Sequence, residues 1–419
     1  MFTGNDPRAA EGLKIALALN LTFLANYAFW FVGLGRPFSL VTMAVLAVML
    51  LVAVARPRPS AAIYWPVTGF AALLILFALS TPTVAWDARS IWLFHAKRIF
   101  IDNNLFSQLD DYCPWSHNDY PVMIPSLSAT FAQARGFWNE VFPKTASVIF
   151  LIPPLFIVAA FIGHQGALVL FLMGLTTLCG ANLFNGLVDA NLALNGLAIS
   201  TLLAALAFSP PSSPKQCKPL LLGTASSSLA ILVLTKNEGI LAAGIFSVLL
   251  ALLCLVRRDN LSFRDWLWVC VPPLLFAGAW KGMCHQAGIF SEFQGSSCVP
   301  QMINRMAEVQ NWRLIASHLF RHSWVAMVVV SLLQLRFFPP PRPYIHSWAF
   351  ATAFSLGYLG CLSLVYFGTP YDLVWHLGTS ADRIIMTVNV VIFGHWLIIS
   401  WASVQALLHK TATTPTVNP

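Results

Sequence analysis

The stretch TPTVAWDARSIWLFHAKRIF brings acidic, basic and imidazole side chains together directly after a long apolar run. If a helix begins by Asp87, eleven residues make about three turns, so Asp87, His95 and Arg98 share one broad face. A carboxylate can accept a proton and an arginine can bind an anion, which makes this face a candidate active site. The alternative is a helix cap followed by snorkelling basic residues. In both cases residues 90–105 fit an amphipathic interfacial helix, with Trp92 as its anchor.

A second polar segment, SHNDYPVMIPSL, follows in the same connection. His117, Asp119 and Tyr120 precede Pro121, which favours an extended backbone. A histidine and an aspartate two residues apart can share a metal or hold a ligand that carries hydroxyl groups. The alternative is an ordinary polar loop before a proline. The residues that follow, 122–134, are typical of a short interfacial helix.

Charged residues recur at the start of two later apolar runs. Asp189 begins the sixth run, where an ionisable group is costly unless it faces a polar cavity. Lys236 and Glu238 lie in a short turn between the seventh and eighth runs. These two side chains are candidates for ligand binding, or they pair with each other within a polar hairpin.

The last polar segment, HLGTSADRIIMT, precedes the final apolar run. Thr379 and Asp382 are candidate ligand-binding residues, and Thr379 or Ser380 could instead be the helix N-cap. Arg383 would lie at a helix start, against the preference of the helix dipole. Such an arginine suits an anion such as phosphate.

The elements that must position these residues are membrane helices. Hydrophobic residues make up 58% of the 419 residues and charged residues 10%, against about 25% in a soluble domain. Apolar runs near the spanning length of about 20 residues recur from end to end, and the first is too long for a signal peptide. The chain is therefore predicted to be one all-α, polytopic membrane domain, residues 1–419. Its twelve predicted spans are 13–34, 38–55, 62–81, 145–163, 166–181, 186–208, 219–235, 239–256, 265–284, 322–338, 345–367 and 384–408.

Two long connections, 82–144 and 285–321, are predicted to lie on the outer side, the first carrying interfacial helices. Basic residues in the other connections set the orientation, because short cytoplasmic loops are enriched in Lys and Arg. The chain is then predicted to lie in the inner (plasma) membrane with both termini in the cytoplasm. The net charge of +8 comes mainly from the basic residues that set this orientation, so no nucleic-acid partner is expected. The residues predicted to face the cytoplasm are Arg8, Lys14, Arg56, Arg58, Lys215, Lys218, Arg257, Arg258, Arg264, Arg336, Arg342 and Lys410.

Acidic residues show the opposite distribution. Twelve of the sixteen Asp and Glu residues fall on the predicted outer side, where the five polar segments described above also converge. The eight cysteines have no metal-ligand spacing. Whether Cys113, Cys284 or Cys298 form a disulfide is left open. The sequence thus predicts an active site on the periplasmic side.

The motifs WDARSIWLFHAKRIF, HNDYPVMIPSL, DANLAL, TKNEG and TSADR, in this order, resemble a bacterial branch of the GT-C membrane glycosyltransferases. These enzymes use polyprenyl-phosphate sugars, and the resemblance covers roughly residues 80–390. It implies a GT-C-like fold and transfer of a sugar to a glycan, lipid or protein acceptor outside the cytoplasm. One departure is that the aspartate follows the third span here, whereas it follows the first in the wider superfamily.

By that resemblance Asp87 is the catalytic aspartate. Lys236 and Arg383 contact the lipid phosphate, while His117, Asp119 and Tyr120 line the donor or acceptor pocket. The acceptor hydroxyl attacks the anomeric carbon as phosphate leaves, so a base is needed on one side and cations on the other.

The sequence leaves two other functional classes open. A secondary transporter fits the count of twelve spans, although transporters place polar residues near the membrane midplane. A ligase or polymerase that uses lipid-diphosphate-linked glycans is the second. The sequence identifies neither the sugar nor the acceptor, nor whether a divalent metal is required.

Overall fold

A computed structural model describes residues 7–55, 61–107, 109–110, 112–209, 217–291 and 298–413. These residues form α-helices and short 3₁₀ and π turns, without a β-strand. Among the predicted topological and acidic residues, Asp6, Arg56, Arg58, Asp111, Lys215 and Glu292 lie outside the described residues. The helices are α1 Pro7–Phe31, α2 Gly35–Ala55, α3 Trp65–Ser80, α4 Leu93–Asp102, α5 Met123–Arg135, α6 Thr145–Ile149, α7 Ile152–Ile162, α8 Gln165–Cys179, α9 Asp189–Phe208, α10 Cys217–Val233, α11 Asn237–Val256, α12 Phe263–Gln286, α13 Cys298–Ala307, α14 Val309–Phe320, α15 Ser323–Phe337, α16 Arg342–Gly368 and α17 Leu373–Thr413.

Within these residues, eight helical units are long and apolar enough to cross a membrane. The pair α14–α15, bent by 68°, makes a ninth if it counts as one span. Helices α3 and α10 and the first part of α2 are apolar but shorter. The all-helical class is therefore confirmed and is consistent with a multi-pass membrane protein. The count of twelve spans stays a prediction.

Helix α9 lies at the centre of the bundle. Its sequence is apolar on every side, which is typical of a helix buried all round, and nearly all of it is buried. It packs against α7, α10, α16 and α17. His395 of α17 lies between Ser200 of α9, 2.8 Å from Nε2, and Ser347 of α16, 3.1 Å from Nδ1. These contacts join three helices deep in the bundle.

The first long connection contains the two helices that the sequence predicts, but α5 is not amphipathic. Ten consecutive residues, Met123 to Ala132, are buried, and the helix packs against α1, α2, α4 and α6. Trp30 donates a hydrogen bond to the hydroxyl of Thr130 (2.8 Å), which donates to Asn26 (2.7 Å). The predicted interfacial helix is thus a buried helix that makes polar contacts with α1.

The second long connection also folds into helices, α13 and α14. Arg305 of α13 donates to the carbonyl oxygens of Thr369 (2.6 Å) and Tyr371 (2.8 Å). It therefore satisfies carbonyl groups in the turn between α16 and α17.

Helix α17 is 41 residues long and begins eleven residues before the predicted start of the last span. Asp372 accepts a hydrogen bond from the N–H of Trp375 (2.8 Å) at the helix start. Thr379 and Ser380 lie inside the helix, and each hydroxyl donates to the carbonyl four residues earlier. The alternative in which Thr379 or Ser380 is the N-cap is therefore wrong, and Arg383 lies inside the helix instead of at its start.

Candidate functional site

Five charged side chains from four separate parts of the chain meet at the end of the bundle where α3 ends and α9 and α11 begin. Arg383 donates to the carboxylate of Asp87 and lies 3.9 Å from Asp189. Asp189 accepts from Lys236 (3.1 Å), which also pairs with Glu238 (2.8 Å). We call Asp87, Arg383, Asp189, Lys236 and Glu238 the charged cluster. All five are candidates from the sequence, and the pairing of Lys236 with Glu238, which the sequence left as the alternative to ligand binding, is observed.

The two ends of the charged cluster differ in burial. The side chains of Asp87 and Arg383 are 21% and 29% exposed, whereas those of Asp189 and Lys236 are 3% and 8% exposed. Burial alone would lower the pKa of Lys236, but the carboxylates of Asp189 and Glu238 outweigh it and hold that pKa well above its ordinary value. Lys236 is thus a permanent buried cation.

Local backbone geometry places Asp87. Its side chain makes no capping hydrogen bond, so the helix-cap alternative is wrong. A π-helical turn follows at Ala88–Trp92, and such turns insert a residue and shift the faces of a helix. Gly186, at φ +90°, lies against this turn, because a Cβ there would be 3.3 Å from Ala88 and 3.1 Å from Lys144. A larger residue would be strained in its backbone and would press on the segment that carries Asp87.

Lys144, which sequence reasoning missed, supports the same segment. Its side chain is buried, and its ammonium donates to the carbonyl of Thr81 at 2.6 Å. Burial lowers the pKa of Lys144. Two further contacts join the two ends of the first long connection: Thr83 donates to the carbonyl of Glu140 (3.0 Å), and Arg89 lies 3.5 Å from the carboxylate of Glu140. The segment before and after Asp87 is therefore fixed from both sides.

His95 and Arg98 do not join the charged cluster. His95 is buried and donates from Nε2 to the carbonyl of Ser116 (2.9 Å), and burial lowers the pKa of His95 to about 4. Arg98 forms a bidentate pair with Asp110, at 2.9 and 2.7 Å. No hydrogen bond or ion pair of either residue reaches Asp87 in the described part of the chain. The expected shared face is not observed, because the π turn separates Asp87 from the face of α4.

Aromatic side chains border the cluster. The Tyr120 ring centre lies 5.9 Å from the ammonium of Lys236. His117 stacks on Tyr120 at 4.7 Å, and Trp92 stacks on the same tyrosine at 5.7 Å. Trp92 is 3% exposed, so the expectation that it anchors a helix at the interface is wrong. His117 and Tyr120 do lie next to the buried cation, as candidate pocket residues should.

Asp119 belongs to a second polar group, which we call the α12 group: Asp119, Asn237 and Lys281. Asn237 donates to Asp119 Oδ2 at 2.6 Å, and Lys281 lies 3.2 Å from the same oxygen. Lys281 also donates to Asn237 (2.8 Å), and Trp280 donates to the main-chain oxygen of Asp119 (2.9 Å). Asn237 lies within the motif TKNEG. Lys281, near the end of a predicted span, had no signal in the sequence that joined it to Asp119.

Metal binding by His117 and Asp119 does not fit this arrangement, because the two side chains face different neighbours. Among the described residues, no group of three or more His, Cys, Asp or Glu side chains could hold a metal ion. The acids of the charged cluster are paired with Lys and Arg. All eight cysteines are free thiols.

Two further candidates lie apart from the cluster. Asp382 is 68% exposed and pairs with Arg321 (2.7 Å), with His322 at 3.5 Å. Thr379 is exposed on α17. Their neighbour Ser380 is buried and hydrogen-bonds to the hydroxyl of Tyr366 (2.9 Å). On this part of α17, Arg383 is the residue that enters the charged cluster.

Comparisons with protein-family models, with curated proteins and with solved structures each give no match. The function is therefore inferred from the chemistry of the site. That site offers a carboxylate with partial solvent access, an arginine beside it, and a buried ammonium held by two further carboxylates. Such a set can accept a proton and neutralise charge that develops on a leaving group.

Proposed function

We propose that the chain is a membrane glycosyltransferase of the GT-C type. It would move a sugar from a polyprenyl-phosphate donor to an acceptor on the periplasmic side of the plasma membrane. The observation that carries the proposal is the contact between Asp87 and Arg383. These residues lie 296 positions apart in sequence, and each belongs to a motif that resembles this class of enzyme.

The proposed reaction uses the two exposed members of the charged cluster. The acceptor hydroxyl oxygen bonds to the anomeric carbon of the sugar, and the bond from that carbon to the phosphate oxygen breaks. The hydroxyl proton moves to Asp87, and the bonding electrons leave with the polyprenyl phosphate. The phosphate gains negative charge as it leaves, so a cation beside it stabilises the transition state more than the ground state.

Arg383 is suited to stabilise that charge. Its guanidinium carries five N–H donors in a fixed fork that matches phosphate geometry. Binding of phosphate to Arg383 would compete with Asp87 for these donors, which would free the carboxylate to act as a base. The buried Asp189 carboxylate, 3.9 Å from Arg383, would keep the arginine in place during this exchange.

The position of the cluster supports a lipid-linked donor over a transported solute. Asp189 is the first residue of α9, and Lys236 immediately precedes α11. Transporters place their sites near the midplane, on interrupted helices. Charged groups at helix ends suit a donor whose phosphate lies at the membrane surface while its tail remains in the bilayer. Among the described residues, the acids of the charged cluster pair with Lys and Arg and do not form a set of metal ligands.

A transfer assay tests the proposal. The purified chain in lipid nanodiscs would be given polyprenyl-phosphate hexoses and pentoses together with glycan, lipid and protein acceptors, and release of polyprenyl phosphate would be measured. We expect release from at least one donor, with Asp87→Asn as the background. Consumption of polyprenyl-diphosphate glycans alone would favour a ligase or polymerase. Consumption of neither donor class would contradict the proposal.

The side of the membrane has its own test. Within 368–380, single cysteines at the exposed positions 374, 375, 378 and 379 should react with a membrane-impermeant thiol reagent in intact cells, and cysteines at 257–262 should not. The reverse pattern would place the charged cluster on the cytoplasmic side and remove the periplasmic part of the proposal.

A further inference from the structure

A cavity of about 180 Å³ lies beside the α12 group, at the end of α12. It is smaller than the roughly 300–1,000 Å³ of pockets for drug-sized ligands, so it suits a single ring. No member of the charged cluster lines it. The lining residues are Asp119, Lys281, Cys284, His285, Ile289, Phe290 and Ser291.

The charges beside this cavity are balanced internally. Lys281 directs its ammonium to three oxygens: the main-chain oxygen of Asp119, Oδ2 of Asp119, and Oδ1 of Asn237. An ammonium has three N–H donors, so Lys281 has none left for a ligand. Its charge is neutralised by Asp119. The cavity is therefore poorly suited to phosphate or another anion.

One acceptor atom remains. The side chain of Asp119 is 8% exposed, and its hydrogen bonds within the described residues go to Oδ2 and to the main-chain oxygen. Oδ1 is therefore the carboxylate oxygen that keeps its acceptor capacity, and Asp119 is one of the residues that line the cavity. Phe290 and His285 provide aromatic walls, with ring centres 5.6 Å apart. A carboxylate oxygen beside aromatic rings suits a neutral ring that carries hydroxyl groups.

Two short segments, 119–120 and 236–238, lie between this cavity and the charged cluster and contribute residues to both. Asn237 faces the α12 group, while its neighbours Lys236 and Glu238 face the cluster. Asp119 faces α12, while Tyr120 lies near Lys236. The cavity and the cluster are thus adjacent but have separate linings. A ligand unit in the cavity is not the unit that reacts at Asp87.

We propose that this cavity holds one neutral monosaccharide unit of the acceptor, next to the unit that receives the new sugar. The acceptor would then be a glycan of at least two units. This inference rests on the proposed glycosyltransferase function for the role of the ligand, although binding of a sugar to the cavity is independent of it.

Binding is tested by hydrogen exchange on the full chain in nanodiscs, with monosaccharides and disaccharides as probes. A saturating sugar should slow amide exchange in residues 280–291, and inorganic phosphate at equal ionic strength should not. Protection by phosphate instead of sugars would overturn the proposal, as would the absence of protection by every sugar.

The role in catalysis is tested with Phe290→Ala, since Phe290 is 59% exposed and its loss should not affect folding. The matched control is Phe263→Ala, an equally exposed phenylalanine at the other end of α12 (66%). In the wild type, disaccharide acceptors should exceed monosaccharides in kcat/KM by about tenfold, the scale of one good aromatic contact. Phe290→Ala should remove this preference, and Phe263→Ala should keep it.

The two failures are distinguishable. If the wild type consumes a donor but shows no preference for disaccharides, or if Phe290→Ala keeps the preference, the cavity proposal fails and the glycosyltransferase proposal stands. If no donor is consumed, the glycosyltransferase proposal fails, and hydrogen exchange still decides whether the cavity binds sugars.

Discussion

The two ends of the charged cluster contain the same chemistry in different surroundings. Asp87 and Arg383 have partial solvent access, so a ligand can replace either partner without leaving an isolated charge in a dry environment. Asp189 and Lys236 are almost fully buried, and separating them would leave such a charge at a cost of several kcal/mol. The exposed pair is therefore suited to exchange partners during a reaction. The buried end is suited to hold the geometry.

The largest expected effect concerns Asp87. Asp87→Asn keeps the size of the side chain and removes its basicity, so turnover should fall by about 10²–10⁴-fold, the usual contribution of a general base. The measurement is release of polyprenyl phosphate by purified protein, with folding checked by size-exclusion chromatography.

Asp102→Asn is the matched control, because Asp102 is exposed at the end of α4, and it should retain nearly full turnover. The sequence predicts an equally mild effect for Asp110→Asn, but this change weakens the bidentate pair with Arg98 and is therefore not a clean control. Normal turnover by Asp87→Asn would show that the exposed pair is only structural.

Changes at the buried end of the charged cluster, Asp189 and Lys236, should lower the stability of the fold. Lys236→Met leaves Asp189 and Glu238 without their shared cation, so we expect a loss of about 3–5 kcal/mol in the free energy of unfolding. Denaturant titration in detergent would measure it. Lys218→Met is the control, because it removes an ion pair near the opposite end of the bundle in which the lysine is 41% exposed. Its loss in the free energy of unfolding should be much smaller. Equal losses would contradict the contrast in burial.

Arg383 should affect donor binding more than folding. Arg383→Ala removes a charged donor to phosphate, and the donor Kd should rise by about 10–100-fold. Arg383→Lys should restore only part of this affinity, because an ammonium cannot reproduce bidentate contacts. Titration with the donor lipid gives both values. Unchanged Kd in Arg383→Ala would assign the arginine to the structural end of the cluster.

The smallest expected effect concerns the pH dependence of stability, which we assign to His95 and not to the charged cluster. The folded pKa of Lys236 is raised, so the stability that its pairing contributes is present below about pH 10 and is lost only as pH rises through that higher pKa. His95 behaves differently, because burial lowers the pKa of His95 to about 4. Stability from neutral His95 is present above about pH 6.5 and is lost as pH falls toward 4, by about 2 kcal/mol at pH 5.

Denaturant titration at pH 7.5 and pH 5 tests this assignment. In His95→Gln the free energy of unfolding should differ less between the two pH values, because unfolding no longer takes up a proton at His95. Turnover at Asp87 should stay intact. If Lys236→Met, and not His95→Gln, reduced it, the buried end of the cluster would be the part that titrates.

Residue types and hydropathy were sufficient to predict much of the site. The apolar runs identify the helices, and each member of the charged cluster follows or begins such a run. They could not show which side chains face each other across helices. Lys281 meets Asp119 only because α12 passes the loop before α5. Lys144 reaches Thr81 only because the two ends of the first long connection come together. Such contacts are tertiary, with no periodicity along the chain.

Errors in the prediction have local causes. The α-helical period placed Asp87, His95 and Arg98 on one face, and a single π turn was enough to separate them. The sequence placed the start of the last span at residue 384, with Thr379 or Ser380 as the alternative N-cap just before it. However, Leu373, Leu377 and Ala381 are buried at spacings of four residues, and this apolar stripe extends the helix back to Asp372.

The length of α17 has a mechanical consequence. At 1.5 Å per residue its 41 residues span about 60 Å, twice the roughly 30 Å of hydrocarbon in a bilayer. Arg383 stands on this rod, while Asp87 stands on a different segment that is fixed by Lys144. Long helices respond to hydrophobic mismatch by tilting. A tilt of α17 about the contact of its His395 with Ser200 and Ser347 would move Arg383 relative to Asp87, so the distance between base and cation would depend on the tilt of this one helix.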